Sequence, residues 1–124
     1  MKTAKLKLNG VDYTMCFSLR VARDCADKFG GLEQMQEAMQ SKKTAEVLDT
    51  CIWMIAAMMD AGARYDRKCG VETPEPMTID DLFDATDIND LAGLKSKIFE
   101  TISNGQKSDI RVESKNAAAN PGDN

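Results

Sequence analysis

The sequence contains no histidine. That removes the Ser-His and Cys-His nucleophile arrangements and every His-containing zinc site in one step. Long apolar runs are missing too. The longest is CIWMIAAMM, Cys51 to Met59, far short of the ~20 residues a spanning helix needs. Lys2, Lys5 and Lys7 interrupt the place where a signal-peptide core would lie. There is no Gly-rich phosphate loop, because Gly30-Gly31 follows a helical pattern and does not join a strand to a helix. Positive charge is in deficit, with 16 Lys+Arg against 20 Asp+Glu, a net charge of -4. Nonspecific nucleic-acid binding needs the opposite balance. Together these absences leave no enzyme-like apparatus, no cofactor and no metal to expect, and no membrane or nucleic acid among the partners.

What remains is a chain of 124 residues with 43% hydrophobic and 29% charged residues. That is enough for one domain with a modest core, and it is a globular composition. Cys16, Cys25, Cys51 and Cys69 form no CxxC pair and sit among strand and helix patterns. Reduced thiols in a cytoplasmic protein are therefore expected.

The pattern predicts a mainly α fold: an N-terminal β-hairpin, a small bundle of about five helices, and a disordered C-terminal tail. The hairpin covers residues 3–17. Ala4, Leu6 and Leu8 alternate with lysines, and Val11, Tyr13, Met15 and Phe17 alternate beyond Asn9-Gly10. Asn-Gly favours a two-residue turn with positive φ at both positions. This turn sets Leu8 against Val11, Leu6 against Tyr13, Ala4 against Met15 and Lys7 against Asp12.

Helices are expected at about 19–29, 32–40, 45–68, 79–86 and 89–103. Ser18 is an N-cap for the first, with Leu19, Ala22, Ala26 and Phe29 as its apolar face and Gly30-Gly31 as its stop. Thr44 is expected to cap the long third helix. That helix is apolar almost all round in its middle and should form the centre of the domain. Pro74 and Pro76 mark a linker, and Thr78 caps the fourth helix. A domain over 1–104 and a flexible tail over 105–124 follow from the loss of hydrophobic pattern after Gly105.

Two features invite a functional reading. Glu72 to Asp90 holds seven acidic residues and no basic one. Several of these suit helix N-termini, and the rest suit an ordinary exposed face or a basic partner. The eight methionines are the second feature. Met fills cores and also builds adaptable binding surfaces. Met35, Met39, Met54, Met58 and Met59, together with Trp53, are the candidate partner-binding residues.

The order of these pieces resembles a known family. The hairpin runs into FSLRVARDCADKFGGLEQM, Phe17 to Met35. Then come CIWMIAAMMDAGARYDRKCG, Cys51 to Gly70, and MTIDDLFDATDINDLAGLKSKIFETI, Met77 to Ile102. Over about residues 4 to 104 this resembles the tail assembly chaperones of siphophages and prophages of Gram-positive bacteria, most of all at Phe29-Gly30-Gly31-Leu32 and in the Trp53 helix. The resemblance implies a chaperone, in the host cytoplasm, that binds the tape measure protein. It would keep that protein soluble until tail tube subunits polymerise, and be absent from the finished virion. It also implies a longer product made by ribosomal frameshifting, through which the tail tube protein is recruited. The expected partners are those two proteins and further copies of the chain. Lys115-Asn116 after Ser114 is compatible with a slip heptamer A AAA AAC. The rival reading is a small cytoplasmic adaptor or toxin-neutralising domain.

Overall fold

The computed structural model of the chain describes residues 2–106. The expected tail, with Lys115-Asn116, lies outside the described residues except for Gly105 and Gln106. The fold is mainly helical, with a two-stranded antiparallel hairpin first.

Strands β1 (Thr3–Leu8) and β2 (Val11–Cys16) pair in the register that the Asn-Gly turn dictates. Asn9 and Gly10 both take positive φ, 51° and 81°. Lys7 and Asp12 face each other with nitrogen and oxygen 3.7 Å apart. Burial goes further than simple alternation. At the open end Thr3, Thr14 and Cys16 are buried along with Ala4, Leu6 and Met15. The base of the hairpin is therefore covered on both faces, while its tip projects.

Helix α1 (Leu19–Phe29) starts at Ser18, whose side chain accepts from the Val21 amide at 3.4 Å. It ends on Gly30 in the left-handed region. Its buried residues are Val21 and Cys25, an i,i+4 pair, with Phe29 half-buried at the following turn. Leu19 and Ala26, expected on the apolar face, are exposed. The inward stripe is rotated because α1 packs on α2 and α3, and Val21 and Cys25 are the residues turned toward that junction.

Helix α2 (Leu32–Met39) is short and buries Met35 and Met39. Helix α3 (Thr44–Lys68) is the central element, touching β2, α1, α2 and two later helices. Thr44 is its first helical residue and Lys43 holds the cap position, with no side-chain cap bond. α3 ends in a Schellman arrangement on Gly70: Val71 N–H donates to Asp66 O at 2.8 Å and Gly70 N–H to Arg67 O at 3.1 Å. Midway, Gly62 lies against β2, where a Cβ would overlap the Thr14 carbonyl oxygen. A side chain there would push helix and hairpin apart.

The proline linker is held by the Met77 amide, which donates to Met59 Sδ at 3.3 Å. Helix α4 (Ile79–Ala85) opens with a capping box between Thr78 and Asp81. A single 3-10 turn (Ile88–Asp90) repeats the device with Asp87 and Asp90. Helix α5 (Leu91–Gly105) buries Leu94, Ile98, Thr101 and Ile102 against α3 and β1. Its last turn is tied to the first strand: Asn104 Nδ2 donates to Thr3 O at 3.0 Å.

Candidate partner-binding site

The structure places the five candidate methionines inside the core. Met35, Met54 and Met58 are 0% exposed, and Met39 and Met59 are 1% exposed. They fill the space where α2, α3, α5 and the hairpin converge, so no partner reaches them while the fold is closed. Their flexible thioethers suit that irregular junction of strand and helix surfaces. Trp53 alone of the six is half-buried and faces outward.

Trp53 belongs to a different surface, on the outer side of α3. Phe29, at the end of α1, meets its ring edge-on with centroids 5.4 Å apart. Lys28 lays its ammonium 5.6 Å from the Trp53 centroid and 5.7 Å from that of Phe29. Across a hollow of about 630 Å³, α4 presents Ile79 and Phe83. The floor and rim carry Lys43, Glu46, Asp49 and Thr50. Phe83 also closes a smaller, more apolar hollow of about 200 Å³ between α3 and the 3-10 turn, lined by Leu48, Ile52, Ile88 and Leu91. The two hollows form one strip of apolar side chains, edged by charge, from the end of α1 to the start of α5.

Local chemistry explains the strip. α4 has seven residues and buries only Leu82. Ile79 and Phe83 stand i,i+4 on one side of it. They are 40% exposed and Ile88 is 62% exposed. The capping boxes hold α4 and the 3-10 turn in place through Asp81, Asp87 and Asp90. Part of the acidic stretch thus serves the backbone. The sequence did carry a signal for Ile79 and Phe83: two bulky apolar residues on a helix too short to bury a second face.

The cysteines are dispersed. Cys16, Cys25 and Cys51 are buried and Cys69 is exposed. Burial pushes the three inner thiols up from the ordinary value of 9.0, and nearby Lys95 partly offsets this for Cys51. Among the described residues no group of three His, Cys, Asp or Glu side chains is placed to hold a metal ion. No helix among them is long and apolar enough to cross a membrane. Compared with models of protein families, with curated proteins and with solved structures, the chain matches none, so its surfaces are read from their own geometry.

Proposed function

We propose that this protein is a tail-assembly chaperone that holds helical segments of a tape measure protein on the outer strip of α3. The observation that carries the reading is the strip itself. Phe29, Trp53, Ile79, Phe83 and Ile88 line an open groove with charged edges. An amphipathic helix laid in such a groove buries its apolar stripe and leaves its polar flanks wet. The order of hairpin and helices on which the resemblance rests is the order the chain adopts. The methionines now have another role: they build the core that supports the groove.

Coexpression with the tape measure protein of the same phage or prophage tests this. The wild-type chain should raise its soluble fraction several-fold. The double variant Ile79→Ser/Phe83→Ser should lose most of that effect while keeping a cooperative thermal transition. Full solubilisation by that variant would end the proposal. The longer product has its own check at the codons. Ser114-Lys115-Asn116 should read through A AAA AAC, and an AAG codon at Lys115 would exclude this slip site.

A further inference from the structure

A third hollow, of about 540 Å³, opens at the other end of α1, where its first turn meets the last turns of α3. Its walls are Leu19, Arg20, Arg64, Tyr65, Arg67 and Lys68. We infer that this hollow docks a segment of a partner protein in which carboxylates flank a bulky apolar side chain. The inference stands on this face alone and uses nothing of the α3–α4 groove.

Charge is the first argument. Four cations line the hollow and, among the described residues, no carboxylate does. Arg64 is tied to Asp60 at 2.9 Å, while Arg20, Arg67 and Lys68 make no ion pair among the described residues. None of the seven carboxylates between Glu72 and Asp90 pairs with them. The dipole of α3 accounts for Arg67 and Lys68 at its negative end. It does not account for Arg20, which sits at the positive end of α1, in a first turn with no acidic residue. A cation there opposes the helix.

Burial is the second argument. Leu19, the neighbour of Arg20, is 89% exposed, and Tyr65 opposite is 37% exposed. Two consecutive residues thus go against the preference of the fold, and both face the same hollow. Such local conflicts mark places where a surface is shaped for something besides folding. The occupant must satisfy both. Carboxylates meet the guanidinium groups in paired hydrogen bonds, and an apolar anchor covers Leu19. A nucleic acid supplies the charge but not the anchor, and it would be repelled by the net charge of -4.

The test is fluorescence anisotropy on the full chain. The probe is a labelled ten-residue peptide with glutamates on both sides of a central Leu-Phe pair. We expect saturable binding that weakens about tenfold between ~50 and ~500 mM salt. Arg67→Glu/Lys68→Glu should lose at least about tenfold, and Leu19→Ser about fivefold, the equivalent of ~1 kcal/mol of apolar contact. Arg20→Gln, a single neutral change, should lose a few-fold and serves if the double variant does not fold. Phe83→Ser should leave this affinity unchanged, which separates the two surfaces. Equal affinities for all variants would overturn the inference. So would a Ser-Ser peptide or an oligothymidylate binding as tightly as the Leu-Phe peptide. Sedimentation showing that the chain self-associates, and that Arg67→Glu/Lys68→Glu abolishes it, would assign the hollow to a second copy and overturn it too.

Discussion

The two sides of α3 invite comparison. The inner side presents Met54, Ile55, Met58 and Met59 to the hairpin and to α5, with nothing exposed beyond 1%. The outer side presents Trp53 to a groove whose far wall is the short helix α4. Both are apolar, and by composition the inner one looks the more adaptable. The difference lies in what each side is given to pack against. The hairpin, α2 and α5 converge on the inner side. On the outer side α4 buries a single residue, Leu82, and leaves Ile79 and Phe83 facing the gap. Flexibility of a side chain makes it useful to a partner only where the fold leaves room, and here the fold leaves room beside aromatic rings.

The sharpest way to break this contrast is to truncate the inner side. Met58→Ala should destabilise the domain by about 3 kcal/mol, the range for a fully buried side chain that leaves a cavity. Met58→Leu, which keeps the volume, should cost less than about 1.5 kcal/mol. Urea unfolding monitored by far-UV circular dichroism measures both. A loss below about 1 kcal/mol for Met58→Ala would mean a loosely filled interior, and the inner methionines would again be available to a partner.

A second test uses two glycines in helices. Gly62 touches the β2 backbone, whereas a methyl group added at Gly93 in α5 would meet nothing within 4 Å. Gly93→Ala should stabilise by about 0.5–1 kcal/mol through helix propensity. Gly62→Ala should destabilise by about 2 kcal/mol, because the strain of overpacking exceeds the same propensity gain. Similar melting shifts for the two variants would show that hairpin and helix can separate at no cost.

The hairpin was legible in the sequence residue by residue because its determinants are local. Asn9-Gly10 fixes the turn, the turn fixes the register, and the register puts Lys7 beside Asp12. Ser18 and Thr78 were legible for the same reason. The helix bounds differed by at most two residues, as at Thr44 and at Gly105. What was not legible depends on contacts between distant elements. Periodicity alone put Leu19 on the inner face of α1, but packing against α2 and α3 selects Val21 and Cys25. Gly62 reads as one small residue among AGA until β2 lies on it. The bond from Asn104 to Thr3 spans almost the whole domain. Of the six candidate residues only Trp53 lines an open hollow, and its neighbours there, Ile79 and Phe83, come from a helix that lies far from it in the sequence.

Thiol chemistry offers a gentler probe of inside against outside. Cys69 should react with a thiol reagent at pH 8 within seconds, and Cys16, Cys25 and Cys51 only as fast as the fold opens. Burial raises the folded-state values of those three above the unfolded one. Their contribution to stability is therefore complete below the ordinary thiol value of 9.0 and is lost as pH climbs beyond it. A Cys16→Ala/Cys25→Ala/Cys51→Ala variant should show a flatter decline of stability above pH 9. Four equally fast thiols in the native protein would contradict the burial of the inner three.

The smallest effect on stability should come from the outer side, and it is the most informative about function. Phe83 is 40% exposed and stands on a helix whose single buried residue is Leu82. Phe83→Ser removes apolar surface that the fold only half uses, so a loss of about 0.5–1 kcal/mol is expected, well below that of Met58→Ala. The same change widens the groove opposite Trp53 and opens the smaller hollow, which a bound helix would need closed. If the strip holds a tape measure protein as proposed, its solubilisation should fall several-fold for Phe83→Ser, while a variant with a stability loss of about 1 kcal/mol elsewhere, such as Ile98→Val on the buried face of α5, keeps it. If the two variants lose activity in step with their melting temperatures, the strip acts only through stability. If Phe83→Ser alone loses it, the outer side of α3 is the working surface and the inner side its support.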